Sequence, residues 1–196
     1  CGEYLSPGCL PMLQRLGVLP SLLEVGRPLY GMVLHTAAGR VLRATYSSAT
    51  LPPEKRVHGL SLARAQLDSL LLDLAVKSGA VVESGFQVSD VLWEGSLAEV
   101  RGRLHGCDAG RQGHLVIGAD GRYSAVARRL GVIRRHPWLD KMALIVYLEG
   151  VEREGEFAEI FLGRDRYAIL NPITDDLTNL GIVVSRRDLP RGEDPR

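Results

Sequence analysis

The sequence predicts an α/β fold in which a helix-containing middle is flanked by β-rich segments. Three observations predict it. Leu62–Ser78 repeats its leucines at helical spacing. His114–Ile117 is a short apolar run followed by a Gly turn and a second helix. Residues 142–184 then give four strand-like runs separated by turn residues. Strands joined by helical crossovers belong to an α/β layer, whereas consecutive strands build a sheet of their own. The chain therefore reads as two interleaved domains, each present in part.

Taken in order, Ser6–Gly17 reads as a short helix, with Ser6 as N-cap, Pro7 at the first helical position and Gly17 as stop. Leu29–His35 and Arg40–Tyr46 flank Thr36–Gly39 and predict a hairpin. Residues 49–57 contain two prolines and read as a loop. In Leu62–Ser78 the residues Leu67, Leu70, Leu71, Leu74 and Ala75 share one helical face, and Gly79 closes the helix. Ala80–Glu83 reads as a short strand, Phe86–Trp93 and Leu97–Leu104 as two longer ones, and Gly106–Gly113 as a Gly-rich bend. His114–Ile117 has the apolar texture of a buried parallel strand. Gly118–Gly121 turns the chain, and Ser124–Leu130 is a helix ended by Gly131. Met142–Leu148, Glu156–Leu162, Tyr167–Leu170 and Leu177–Val184 predict an antiparallel sheet.

Composition excludes several classes. Hydrophobic residues make up 45% of the 196 residues, enough for a sizeable core. Lys plus Arg number 24 against 23 Asp plus Glu, a net charge of +1. That balance gives no footprint for nucleic acid or an acidic membrane. No apolar run approaches the roughly 20 residues that span a bilayer, and no secretory leader pattern opens the chain. The three cysteines, Cys1, Cys9 and Cys107, lack disulfide or zinc spacing. A reducing cytoplasm is the expected compartment, and Cys9 and Cys107 are assigned to packing or loop. The opening at Cys1 without an initiator Met, and the polar close at Arg196, predict a fragment.

The sharpest chemical signal runs from Leu115 to Gly131. Strand, Gly turn and helix bring backbone N–H groups toward an anion, and Gly118 and Gly121 allow close backbone approach. Asp120 cannot ligate phosphate by charge, but as an acceptor it suits ribose or ribityl hydroxyls. The plainer alternative is an ordinary connection whose Asp caps a helix. Five histidines do not fall at metal-ligand spacing. Ser61, Ser124 and Ser185 lack the G-x-S-x-G elbow of a hydrolase. Trp93 and Trp138 read as packing.

The 118–131 string resembles the G-A-D-G-x-x-S-x-V-R-R-x-L-G motif of the flavoprotein monooxygenase superfamily, the group built like p-hydroxybenzoate hydroxylase. It departs at Ala127, where the family usually has Arg. The resemblance implies that Gly118, Asp120 and Gly121 lie beside the FAD pyrophosphate. Leu62–Leu71 resembles the family's L-x-R-x-x-L-D-x-x-L-L helix, which makes Arg64 a phosphate-binding candidate. A guanidinium offers forked donors to phosphate oxygens, and a first-turn Arg is otherwise misplaced against the helix dipole. Asp68 is read as structural. Gly79–Val88 resembles the family strand pair in which a backbone amide near Val88 meets the adenine. Cys1–Gly8 resembles the C-G-E-x-L-S-P-G segment of the geranylgeranyl-reductase-like branch, which makes Cys1 and Gly2 flavin-proximal, or else Cys1 a buried thiol without a role.

The resemblance implies a partial FAD-binding Rossmann-like domain over residues 1–28 and 57–134. An antiparallel β-sheet substrate domain over 29–56 and 135–196 would form a pocket floor, with Tyr167 and Asn171 beside the pocket. The family's G-x-G-x-x-G and G-D-A motifs are missing, and Gly106–Gly110 imitates the latter without a following helix. This stretch alone is therefore expected to bind FAD poorly. The implied activity is FAD-dependent oxidation or reduction with NAD(P)H as reductant. The substrate is a small molecule, isoprenoid or aromatic, and is either monooxygenated or reduced at a carbon–carbon double bond. No residue is assigned as acid or base, because the cofactor carries the chemistry. The alternatives are a non-catalytic α/β binding or scaffold module and a flavin-free NAD-linked dehydrogenase.

Overall fold

The structure is a computed structural model that describes residues 3–47, 56–134, 136, 140–152 and 155–189. Its contacts gather into two compact units, one built from 1–75 and 139–196, the other from 76–138.

The first unit begins with β1 (Tyr4–Leu5), a short 3-10 turn at Pro7–Cys9, α1 (Leu10–Arg15) and α2 (Leu19–Val25). Proline stands in the first turn of each helical piece, where its missing N–H costs nothing. Ser6 occupies the N-cap position but makes no capping hydrogen bond; its Oγ lies 3.5 Å from the Cys9 sulfur. Gly17 follows α1 with φ +75°, and α2 arises where the sequence reading placed no element. Its signals are Pro20 and the Leu19, Leu22, Leu23 spacing. The chain continues through β2 (Arg27–Leu29), β3 (Gly31–Thr36), β4 (Val41–Thr45), β5 (Gly59–Ser61) and α3 (Arg64–Lys77). Strands β1, β5 and β2 form a small antiparallel sheet. Leu13, Val18, Leu22, Leu60, Leu62 and Leu67 pack into one core against it, and α3 turns Leu70, Leu71 and Leu74 toward that core. Burying each such side chain contributes about 1.5–3 kcal/mol.

In the second unit β6 (Phe86–Glu94), β7 (Leu97–Leu104) and β8 (Cys107–Gly113) form an antiparallel meander, followed by α4 (Ala125–Arg129). The expected bend at 106–113 is thus a strand. His105 and Gly106 both take positive φ, the geometry of a two-residue I′ turn, and this turn lays the Gly-rich segment against β7. The expected strand at 80–83 is absent, because no neighbouring strand pairs with it among the described residues. The run 114–117 is not a buried strand either: Leu115 is 77% and Ile117 79% exposed, and no described strand lies alongside. Trp93, Cys9 and Cys107, read as packing or loop residues, are exposed. Against β6, α4 buries Ala125 and Val91, and Arg129 pairs with Asp90 at 2.7 Å.

The chain then returns to the first unit with β9 (Lys141–Glu149), β10 (Phe157–Leu162), β11 (Tyr167–Pro172) and β12 (Leu177–Ser185). With β3 and β4 they form one six-stranded sheet, ordered β4-β3-β10-β11-β12-β9. All neighbours are antiparallel except β3 and β10, which run parallel from Gly31 opposite Phe157 to Thr36 opposite Leu162. The predicted run Leu29–His35 is divided at Tyr30, where the chain passes from the small sheet to the large one. The fold class is the predicted α/β with mixed and antiparallel sheets. Of the remaining expectations, the loop at 49–57 falls mostly, and Trp138 wholly, outside the described residues.

Candidate cofactor site

The residues singled out in the sequence fall in both units, and each group is described within its own. Cys1 and Gly2 lie outside the described residues.

In the first unit Arg64 opens α3. Its Nε and Nη2 donate to the Asp68 carboxylate at 3.2, 2.8 and 3.1 Å, an i,i+4 pair that holds one edge of the guanidinium. Among the described residues Nη1 has no partner, so the other edge is free to engage an anion. The Arg64 backbone N–H donates to one oxygen of Glu3, and the Tyr147 hydroxyl donates to the other. Glu3 is 6% exposed. Its carbonyl accepts the Leu62 N–H at 3.0 Å and the Ser61 hydroxyl at 2.8 Å. The Glu3 carboxylate beside it, with some desolvation, holds Tyr147 above the ordinary phenol range. Sequence reasoning passed over Glu3, although it stands inside the Cys1–Gly8 string. A cleft of about 500 Å³ lies between α2 and α3, lined in part by Leu22, Gln66, Ser69, Leu70 and Asp73.

On the large sheet Asn171, Asn179 and Tyr147 stand side by side across β11, β12 and β9. Asn171 is buried, and Asn179 is 1% exposed with an amide nitrogen that has no partner among the described residues. Tyr167 is half-buried. The sheet also assembles a group that the sequence did not reveal. His35 Nε2 lies 2.9 Å from the buried Glu159 carboxylate, and its ring stacks on Phe161 with centroids 4.4 Å apart. The parallel β3–β10 register, invisible in the sequence, creates that contact.

In the second unit Asp120 accepts the Ser124 hydroxyl at 2.5 Å and the Ala125 and Val126 N–H groups at 2.6 and 3.4 Å. Ser124 in turn accepts the Ala127 N–H at 2.9 Å. The start of α4 is thus capped twice, which satisfies the helix-capping alternative. The Ser124 hydroxyl is the main reason the Asp120 carboxyl is held below the ordinary carboxylate range. Desolvation opposes it, and the backbone N–H groups reinforce it. A carboxylate offers about four acceptor positions. The Ser124 hydroxyl and the N–H groups of Ala125, Val126 and Asp120 itself engage them here, so the turn supplies most of the donors this carboxylate needs. Gly118 is required by packing, since a Cβ there would stand 2.9 Å from Val126. Gly121 has φ +73° and open space around its missing Cβ, so the turn presents bare backbone on that side. Val88 sits at a bulge of β6 and lines a shallow groove of about 720 Å³ on the meander with Gln87, Ser89, Arg101, Arg103 and Asp108.

No protein-family model matches the chain. A pyrrole-2-carbonyl-[peptidyl-carrier protein] chlorinase of Pseudomonas fluorescens is 23% identical over 215 aligned positions, covering 95% of this chain and 48% of that protein. Among solved structures, the flavin-dependent halogenase CmlS superposes with a TM-score of 0.84 at 24% identity. The match covers 95% of this chain and 35% of that one. The myxobacterial chondrochloren halogenase CndH gives 0.82 at 23% identity, covering 95% and 44%. The fold is that of the flavin-dependent halogenases and monooxygenases. The chain spans about half the length of the curated relative and about a third of CmlS. Among the described residues no helix is long and apolar enough to cross a membrane, and no three His, Cys, Asp or Glu side chains gather around a metal position.

Proposed function

We propose that this chain forms part of an FAD-dependent oxidoreductase that oxidises a small molecule. The observation that carries the reading is the halogenase-type fold over 95% of the chain, together with Arg64 at the start of α3, its one edge held by Asp68 and its other unengaged. In this reading residues 1–28 and 57–134 serve the cofactor and 29–56 and 135–196 the substrate. The Nη1 edge of Arg64 holds a phosphate oxygen of FAD. The backbone around Gly118 and Gly121 lies along the pyrophosphate, Asp120 accepts a ribose or ribityl hydroxyl, and the backbone at Val88 meets the adenine. Cys1 and Gly2 stand near the flavin. FAD, when bound, would supply two-electron redox chemistry with NAD(P)H as reductant. The protein's own work is to bind, orient and exclude water. Tyr167 and Asn171 on the large sheet stand beside the substrate.

The relatives named above are halogenases, which favours oxidative chemistry of the monooxygenase type. The Cys1–Gly8 string supports a second reading, the reduction of an isoprenoid double bond as in the geranylgeranyl-reductase-like branch. The test is purification of the full gene product and measurement of FAD binding by flavin fluorescence, with Arg64→Ala beside wild type. The expected result is bound flavin and a dissociation constant about tenfold higher in the variant, one charge-assisted hydrogen bond lost. A protein that binds no flavin, or an unchanged constant in the variant, sinks the assignment. NAD(P)H consumption in the presence of aromatic or isoprenoid compounds, with oxygen uptake recorded, separates oxidation from double-bond reduction.

A further inference from the structure

We propose that Glu3 is the positioning residue of this site. It fixes where α3 begins, and so where Arg64 is held, and it fastens that start to Tyr147 on the edge strand of the large sheet. The part that concerns ligand binding rests on the FAD reading above.

The first N–H groups of a helix have no partner within it and need one outside. In α3 the Gln66 and Leu67 N–H groups both run back to the Ala63 carbonyl, at 3.0 and 3.3 Å, so Ala63 stands at the N-cap. Alanine has no side chain that can cap. Glu3, 61 residues earlier, supplies the missing acceptor to the Arg64 N–H. A carboxylate at a helix start is also favoured by the helix dipole.

Burial of a carboxylate is costly unless donors surround it. Glu3 has one donor on each carboxylate oxygen, the Arg64 N–H and the Tyr147 O–H, while the Leu62 N–H and the Ser61 hydroxyl hold its main-chain carbonyl, four donors to the residue in all. Three of the four belong to the segment that leads into α3. The fourth, Tyr147, is 144 residues away in sequence and stands on β9 of the large sheet. One side chain thus joins the phosphate-facing arginine to the sheet proposed to carry the substrate. A shift of either partner is felt by the other.

Length and charge make different predictions. Glu3→Gln keeps the length. Its carbonyl oxygen can accept the Arg64 N–H while its amide donates to the Tyr147 oxygen. Glu3→Asp keeps the charge but is one methylene short of bridging both partners. For a positioning role the FAD dissociation constant of the full gene product stays within about threefold in Glu3→Gln and rises about tenfold in Glu3→Asp, the loss of one hydrogen bond to a charged group. The Asp effect vanishes in an Arg64→Ala background, because Glu3 acts through Arg64.

The Glu3–Tyr147 half is read without any cofactor, by following tyrosine ionisation in the ultraviolet as pH rises. Glu3→Gln removes the neighbouring negative charge, so one tyrosine ionises at lower pH than in wild type. That shift is missing when Tyr147→Phe is added. Should Glu3→Asp fail to fold, Tyr147→Phe serves in the same double-mutant comparison and is expected to raise the FAD constant only while Arg64 is present.

An Asp effect that adds in full to Arg64→Ala overturns the positioning role, as does a Gln variant that loses FAD while the Asp variant keeps it. An unchanged tyrosine titration in Glu3→Gln overturns the link to β9. If Arg64→Ala leaves FAD binding unchanged, the FAD reading fails instead, and the titration still decides the Glu3–Tyr147 link.

Discussion

Gly31→Ala is expected to damage the large sheet far more than a single methyl suggests. Gly31 begins β3, between β4 on one side and β10 on the other. A Cβ built there lies 2.1 Å from the Ala44 carbonyl oxygen, 2.8 Å from Phe157 Cε1 and 2.9 Å from Thr45 Cα. An unstrained carbon–oxygen contact needs about 3.3 Å, so the shortfall is about 1 Å. The oxygen belongs to the backbone and cannot rotate aside, and retreat from β4 drives the methyl into Phe157. Overpacking costs typically about 1–3 kcal/mol, and this site belongs at the upper end, about 3 kcal/mol. For a chain of this size that lowers the melting temperature by about 6–12 °C. Gly181→Ala is the control in the same sheet. Gly181 has no positive φ and no heavy atom within 4 Å of its Cβ position, so the substitution is expected to stabilise by about 0.5–1 kcal/mol. Urea unfolding of the two variants beside wild type reads both. The reasoning is refuted if Gly31→Ala stays within about 1 kcal/mol of wild type, or if Gly181→Ala is the more damaging of the two.

Ser124→Ala removes the hydroxyl that caps Ala127 and partners Asp120. It is expected to cost about 1 kcal/mol and to raise amide exchange at the start of α4. Asp120 titrates below the ordinary carboxylate range when folded. Its contribution is therefore present above the unfolded value and is lost as pH falls through the folded one. Asp120→Asn should flatten that part of the acid limb in an acid-unfolding curve, and an unaltered limb would show that Asp120 does not supply it. Leu22→Ala empties a position at the centre of the α1–α2–α3 core and is expected to cost about 2–5 kcal/mol in urea unfolding. Phe161→Ala removes the ring stacked on His35 and is expected to shift the His35 proton resonances while leaving the Glu159 contact in place.

The elements legible in the sequence are those whose evidence is local. Leucine spacing marks α3, the strand-like runs Phe86–Trp93 and Leu97–Leu104 mark β6 and β7, and Ser124 with Gly131 brackets α4. What the sequence hid depends on distant partners. Strands β1, β2 and β5 are two or three residues long and exist because they pair with one another across tens of residues. Cys107–Gly113 has the composition of a bend and becomes a strand because the His105-Gly106 turn delivers it to β7. Leu115–Ile117 has the composition of a buried strand and lies open because nothing described stands beside it. At the candidate site Arg64 and the Gly118–Gly121 turn were legible as motif residues. Glu3 was not, because its partners are Arg64 and Tyr147, neither of them near it in the chain. The His35–Glu159 pair was hidden for the same reason.

The parallel contact between β3 and β10 has a consequence for synthesis. Gly31 pairs with Phe157, and Thr36 with Leu162. At ribosomal speed the second strand follows the first by on the order of ten seconds. The meander β6–β7–β8 is contiguous in the chain and joined by two-residue turns, so it closes within microseconds of leaving the ribosome. The inserted unit can therefore be complete while the unit encoded on either side of it still lacks β9, β10, β11 and β12. During that interval β3 holds β4 on one side and offers a bare edge on the other, open to any passing strand. The nascent chain is most vulnerable to aggregation in that window, and a chaperone that shields strand edges would act there.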